Sequence, residues 1–462
     1  MDYASLKNRL DEESIEFVDF RVVDLHGRFR HVTVPASRLT PELCRDGIGF
    51  DGSNYGYRDV SGSDLVLIPD LDTAYEERQG EERLIVAIGA ICDAETRTPS
   101  RIDPRGIARR ATAALREHGI ADSLQASPEF EFYVFDRVLY TSTPGRISAE
   151  VIPLEGRRHR DRSVGAGTIM TAYHAALPAD ELFALRNEMT RRLDLAGIPV
   201  KYHHHEVGSF GQSEIELGFG DAVDMADATL VVKSLVRTVA HEAGLTATFL
   251  PKPIFSEAGS GMHLHQYLVR SGENLFAGQD GLSDLALCYV GGLLTHGRSL
   301  MALTNPSTNS YRRLVPGYEA PVEFVLGADD RNAAVRVPAY ARDRMRRIEL
   351  RTMDATCNPY LAFAAILQAG LDGVRRGLNA HDLGFDCAGG SAKPEGPLHR
   401  QRIAPSGLGE ALDALIEDHD YLLADGVFTE SLIEEWNVAK REEIAAVAAR
   451  PHPHEYVLYY DL

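Results

Sequence analysis

The sequence predicts an α+β chain of two unequal units, a small and mostly β unit followed by a larger mixed one. Three observations carry this. Short strand patterns crowd the first hundred residues, and long helical periodicity begins only at Pro104. Beyond that point strands and helices do not alternate regularly, which disfavours a doubly wound sheet. With 462 residues and 44% hydrophobic content, the chain can bury a large core, and its length fits two or three domains.

The elements follow in order. Residues 1–12 read as a short helix. "EFVDFRVVDLHGRFRHVTVP" reads as two strands joined by a turn at "LHGR". "SDLVLIPDLDT" and "ERLIVAIGAICDA" add strands, and Pro99, Pro104 and Gly106 mark a boundary. We divide the chain there into residues 1–103 and 104–462. "PRGIARRATAALREHG" is a helix stopped by Gly119, and the strand "SPEFEFYVFD" follows it. "ADELFALRNEMTRRLDLAG" and "DMADATLVVKSLVRTVAHEAG" are helical, and "NPYLAFAAILQAGLDGVRRG" is an apolar, buried helix. "GFDCAGGSAKPEGPLHRQRIAPSG" lacks periodicity and reads as a surface loop.

Composition excludes several function classes. A net charge of −20, from 48 basic and 68 acidic residues, argues against nucleic acid and against an anionic membrane surface. Cys44, Cys92, Cys288, Cys357 and Cys387 include no CxxC and are odd in number, which fits a reducing cytoplasm rather than a disulfide scaffold. The start "MDYASLKNRLDEESIEF" has no signal-peptide core, and no apolar run reaches the length of a membrane span. A cytoplasmic protein is expected.

Four strand patterns carry ionisable groups on one face. In "SPEFEFYVFD", Glu129 and Glu131 alternate with Phe130 and Phe132. In "KYHHHEVGSFGQSEIEL", a tight connection at Gly208 and Gly211 brings Glu206 near Glu214, beside His203, His204 and His205. In "GSGMHLHQYLV", His263 and His265 share a face, and in "RRIELRTMD" so do Glu349 and Arg351. Each pattern alone also fits a half-exposed structural strand. If all four line one cavity, it holds Glu129, Glu131, Glu206, Glu214, Glu349 and His263. Five carboxylates without cations are costly. An oxygen-rich set with one imidazole suits Mg²⁺ or Mn²⁺, and six ligands suit two ions better than one that keeps its waters. Arg312, Arg313, Arg331 and Arg336 supply planar forks for phosphate or carboxylate, or else ordinary surface ion pairs. Divalent ions plus arginines describe a nucleoside triphosphate site for phosphoryl transfer, here without a GxxxxGK[ST] loop or a kinase HRD or DFG set.

The same segments resemble the bacterial type I glutamine synthetase family. The resemblance runs from about residue 15 to the end and rests on "DLHGRFRHVTVPA", "GFDGSNYGYRDVSGSDLVLIPD", "SPEFEFYVFD", "HHHEVGSFGQSEIEL", "FLPKPIFSEAGSGMHLH", "NPSTNSYRRLVPGYEAPV", "RNAAVRVP" and "RRIELRTMDATCNPYLAFAAILQAGLDG". It implies an N-terminal β-grasp domain and a catalytic domain whose antiparallel sheet forms a funnel flanked by helices. It implies a homo-oligomer, a dodecamer of two hexameric rings with active sites between subunits. It implies ATP-dependent formation of γ-glutamyl phosphate from glutamate, then amidation by ammonia. By matched position, Glu131, Glu206 and Glu214 hold one ion, and Glu129, His263 and Glu349 the other. Arg331 and Arg336 steady the phosphoryl group, while His265 and Arg344 contact the nucleotide. Arg313, Arg351 and Gly259 hold the amino acid. Asp51, from a neighbouring subunit, deprotonates ammonium, Glu319 shields the intermediate, and Tyr173 and Asn54 belong to the ammonium pocket.

The chain departs from the family's pattern near the substrates. Asn54, Ala258, Tyr267, Lys201 and Arg344 replace usual residues, "VLGADDRN" brings in Asp329 and Asp330, and "RTMD" replaces "RFPD". The loop at 380–390 has no counterpart of the tyrosine some relatives adenylylate, so that control is expected to be absent. These departures keep a second reading open, γ-glutamylation of a small primary amine or amidation of another amino acid. A non-catalytic assembly would not retain the full ligand set, and a guanidino kinase would not need Asp51 and Glu319.

Overall fold

The computed structural model describes residues 1–56, 63–155, 172–279, 281–317, 320–386 and 402–462, and builds two sheets. The first comprises β1 (Phe17–Val23), β2 (Phe29–Pro35), β3 (Ile48–Asp51), β4 (Asp64–Pro69), β5 (Tyr75–Gln79) and β6 (Glu82–Asp93). Its order is β2-β1-β6-β4-β3, with β5 on β6. Only β1 and β6 run parallel. The expected hairpin is β1–β2, and its turn needs Gly27, whose φ of +79° lies in the left-handed region. A Cβ there would also meet the Asn358 Cα at 2.8 Å, so the turn docks closely on the second unit.

The second sheet contains β7 (Ser123–Thr143), β8 (Arg146–Pro153), β9 (Val200–His205), β10 (Gln212–Leu217), β11 (Gly220–Asp221) and β12 (Thr246–Thr248). Beyond these come β13 (Met262–Arg270), β14 (Glu273–Asn274), β15 (Glu323–Ala328), β16 (Ala333–Val337) and β17 (Ile348–Leu350). Its order is β15-β16-β17-β13-β7-β10-β9, with β8, β11 and β12 also on β7 and β14 on β13. Pairing is antiparallel except between β15 and β16. The period-2 pattern explains the layering. Phe130, Phe132, Met262, Leu264 and Ile348 are fully buried on the core face, while the acids and imidazoles between them face away from it.

The helices Pro104–Glu117 and Ala222–Glu242 pack behind this sheet, and Pro359–Arg376 packs against both of them. The first is capped by Asp103, which accepts the Gly106 N–H at 3.0 Å. The third is buried along most of its length, as its apolar sequence requires. Asn358 caps it and also donates to the carbonyls of Asp24 and Leu25, at 3.3 and 3.2 Å, joining the helix to the first unit's turn. Arg105 makes a second joint, reaching Asp70 at 2.9 Å and Asp227 at 2.8 Å. Among the described residues no helix is long and apolar enough to cross a membrane. Most of the expected surface loop, residues 387–401, lies outside the described residues, as does Cys387.

Candidate active site

Strand register assembles the site row by row. β10 sets Glu214 opposite Glu131 and Glu216 opposite Glu129. On the other side of β7, β13 sets His263 opposite Glu129. β17 brings Glu349 opposite His265, and β16 brings Arg336 opposite Glu349. Glu206 stands one residue beyond β9, its N–H bonded to the Gln212 carbonyl at 2.9 Å. Residues far apart in sequence thus line one cavity of about 1050 Å³, and all six expected metal-site residues are among its walls.

Within it, ligand atoms of Glu129, His263 and Glu349 lie within 4.8 Å of one another. The other expected trio is divided between two overlapping groups, Glu129–Glu131–Glu214 and His204–Glu206–Glu214, on the same limit. The His263 Nδ1 is 3.1 Å from Glu129, and its Nε2 is 3.0 Å from the Arg313 guanidinium.

The field across the cavity is uneven. Burial, reinforced by the charge of Glu131, pushes the Glu206 carboxyl up to about 8. Burial and the charges of Glu129 and Glu206 also push Glu214 up. Burial acts the same way on Glu129, but hydrogen bonds to His263 and His265 overcome it and hold that carboxyl well below the usual range. At Glu349, Arg351 and His265 outweigh burial and lower it. One side of the cluster is therefore neutralised by imidazole and guanidinium, and the other is short of positive charge. An oxygen-rich donor set in that condition fits divalent cations.

Arginines edge the neutralised side. Arg336 reaches Glu349 at 2.8 Å and Asp329 at 3.0 Å, giving the unusual Asp329 a structural partner. Arg351 pairs with Glu349 and donates to the Arg331 carbonyl at 3.0 Å. Arg331 and His265 line the cavity. Arg313 is buried and donates to the carbonyls of Thr352 and Arg351 at 3.1 and 3.2 Å. Gly259 lies against it, where a Cβ would stand 2.5 Å from the Arg313 Cγ and 2.7 Å from the Pro251 carbonyl oxygen. The Gly259 carbonyl accepts from Gln212 at 2.9 Å. Tyr173 lines the mouth, its ring stacked on His174.

Three expected residues stand apart. Asp51 and Asn54 sit on an exposed turn of the first unit, bonded to each other at 2.8 Å, and do not line this cavity. Arg344 is exposed on the short turn Asp343–Met345, away from the cavity walls. Glu319 lies outside the described residues. The cavity also has walls that the sequence reading did not select, among them Tyr202, His174, Arg186 and Tyr340. Glu216, close to Glu129 and His265, was overlooked although it shares the face of Glu214 two residues earlier.

A small β unit joined to a large, mainly antiparallel sheet with an acidic, metal-competent cavity defines a two-unit α+β protein that handles charged substrates. Comparison with known proteins supplies the family. The glutamine synthetase β-grasp domain profile matches residues 14–94, and the glutamine synthetase catalytic domain profile matches residues 101–459. The chain belongs to the glutamine synthetase family. It is 41% identical over 464 residues to glutamine synthetase of Frankia alni, covering 98% of this chain and 97% of that one. It is 39% identical over 462 residues to that of Escherichia coli K12, covering 98% of each. A cryo-EM structure of Plasmodium falciparum glutamine synthetase superposes with a TM-score of 0.89 at 26% identity, covering 100% of this chain and 99% of that one.

Proposed function

We propose that the chain is an ATP-dependent ligase that joins ammonia to the side-chain carboxylate of glutamate, giving glutamine. The observation that carries this reading is the set of register-locked rows of acids and imidazoles, with arginines on one edge, in a chain about 40% identical to glutamine synthetases along its whole length. In the first step a γ-carboxylate oxygen attacks the terminal phosphorus of ATP, the bond to ADP breaks, and γ-glutamyl phosphate forms. In the second, ammonia adds to the acyl carbon and phosphate leaves.

Glu129, His263 and Glu349 hold one divalent ion, and Glu131, Glu206 and Glu214 a second. Bound there, Mg²⁺ or Mn²⁺ supplies positive charge to the phosphates and the carboxylate. Arg331 and Arg336 face the transferred phosphoryl with delocalised charge, the larger effect in such reactions being electrostatic positioning. Arg351 and Arg313 hold the amino acid's carboxylates, and the Gly259 backbone approaches it where no side chain fits. His265 and Arg344 contact the nucleotide. Asp51 takes the proton from ammonium, since only free ammonia is a nucleophile. Asn54 and Tyr173 border that pocket, and Glu319 covers the acyl phosphate against water.

Asp51 and Asn54 do not line their own subunit's cavity, which supports a homo-oligomer in which a neighbour closes each site. The terminal helix Pro453–Tyr459 supports assembly as well, exposing Tyr456, Val457, Leu458 and Tyr459 to solvent. We propose the dodecamer of two hexameric rings, a division into domains at residues 103 and 104, and a cytoplasmic location. The relatives' names favour ammonia over a larger amine. The test is ADP release with glutamate, Mg²⁺ or Mn²⁺, and either ammonia or a panel of primary amines, with product mass determined. Glutamine from ammonia is expected. ADP release only with another amine or another acid refutes the assignment.

A further inference from the structure

Three successive histidines leave β9, and only one faces the acids. His205 is turned away, with its Nε2 on Glu155 at 2.9 Å and its Nδ1 on the Glu206 carbonyl at 2.6 Å. His203 faces Asn187 at 3.0 Å and Arg186 at 3.3 Å. His204, on the opposite face of the strand, stands directly across from Glu214.

The hydrogen bonding of His204 fixes its chemistry. Its Nδ1 is 3.1 Å from the His205 carbonyl oxygen, which can only accept, so Nδ1 carries the proton. In the neutral ring Nε2 then presents a lone pair. That nitrogen lies 3.0 Å from the Glu214 Oε1, and Glu206 completes a trio of ligand atoms within 4.8 Å. Two electron-pair donors facing each other need a proton or a metal ion between or beside them, and a divalent ion held by Glu206 and Glu214 supplies that charge. A separation of about 3.0 Å is also the edge of an octahedron with arms of about 2.1 Å, the spacing of adjacent ligands around one ion. The ring packs edge-on against the stacked pair His174 and Tyr173, at 4.4 and 5.3 Å centroid to centroid, which limits its rotation.

We propose that His204 is a direct ligand of the divalent ion held by Glu206 and Glu214, so that this ion carries an imidazole nitrogen. The proposal rests on the two-ion reading above and adds a donor to it. It also assigns a preference. Mn²⁺ is the weakest imidazole binder of the first-row transition ions but still accepts a nitrogen ligand more readily than the harder Mg²⁺, so this position favours Mn²⁺ over Mg²⁺.

Electron spin-echo spectroscopy of Mn²⁺ bound to the full-length protein tests this, because it counts the imidazole nitrogens on the metal. At two Mn²⁺ per subunit the native protein is expected to show two imidazole couplings, one from each site, and ¹⁵N-histidine labelling checks both without any variant. His204→Asn and His204→Gln should lose one coupling, keep two Mn²⁺ by titration, and bind one of them roughly tenfold more weakly or worse. A single coupling in native protein that binds two Mn²⁺ overturns the assignment of His204 and leaves the two-ion reading standing. Failure of the native protein to bind Mn²⁺ at all removes both.

Discussion

Glu131→Gln separates the cost of the acidic cluster from its use. The ligand atoms of Glu131, Glu129 and Glu214 lie within 4.8 Å of one another. Two full charges at that separation repel by about 3.5 kcal/mol at an effective dielectric of ~20, and by about half that in a wetter cavity. Burial and neighbouring acids push the Glu214 carboxyl up, so it carries less of this repulsion and the pair that counts is Glu129 with Glu131. Glutamine keeps the shape, and its amide oxygen still accepts the Gly261 N–H, now 2.6 Å from the carboxylate. In EDTA the variant should therefore be more stable than the native protein by about 1–2 kcal/mol. Saturating Mn²⁺ should reverse the order. At a hundred times the dissociation constant each site contributes about 2.7 kcal/mol, and the variant loses one site. Melting curves in EDTA and in Mn²⁺, with Mn²⁺ titration and ADP release, check all three parts. Lower stability of the variant in EDTA, or equal stabilisation of both proteins by Mn²⁺, refutes the reasoning.

Other perturbations test the frame around the site. Arg105→Met leaves Asp227 buried without its partner at the joint between the two units and should cost about 3–5 kcal/mol by urea unfolding. His296 lies between Asp418 and Asp372, each at 2.9 Å, and these carboxylates overcome burial and raise its pKa. A raised histidine contributes stability fully below its unfolded value near 6.5 and loses it as pH rises through the folded value. Melting temperature should thus fall as pH rises above about 6.5, and fall less in His296→Gln; equal slopes would exclude the triad as the cause. Asp51→Ala and Glu214→Ala proteins should each be inactive, yet regain about a quarter of native activity when co-assembled at random, because one site in four then draws both intact residues from different subunits. No recovery in mixed oligomers would show that Asp51 serves its own subunit's cavity.

Much of this arrangement was legible in the sequence, for a physical reason. On strands, period-2 alternation records which face is wet, so Glu129, Glu131, His263, His265 and Glu349 could be assigned to one face each without knowing which strands pair. The glycines at 208 and 211 marked the hairpin that brings Glu206 and Glu214 together. Pairing between distant strands has no local signature. The sequence therefore gave no sign that β10 sets Glu216 beside Glu129, or that His204 rather than His203 or His205 meets the acids. The parallel pair β15–β16 was missed for the same reason. Arg344 is the opposite case: only its matched position points to a nucleotide contact, and its turn holds it on the exposed surface, outside the cavity walls.

The acids that strain this cavity also help fix its geometry. Every strand that carries them has a fully buried opposite face, with Phe130 and Phe132 on β7, Ile215 on β10, Met262 and Leu264 on β13, and Ile348 on β17. A slip of one residue in any pairing would drive a carboxylate or imidazole into the core and an aromatic or aliphatic side chain into the cavity. Burying a single unpaired charge costs several kcal/mol, more than the repulsion among the acids in the correct register. The charged rows thus act against misregistered sheets, and local repulsion among them is tolerated because cations that bind only the folded protein can offset it. The same account explains why Glu349 sits where it does. It takes Arg336 on one side and Arg351 on the other while remaining within ligand distance of Glu129 and His263, so one carboxylate ties the arginine edge to the acidic rows. Removing it would take a charge partner from both arginines, which keep Asp329 and the Arg331 carbonyl, and one donor from its ligand set, so under the proposed roles Glu349 links phosphoryl binding to metal binding.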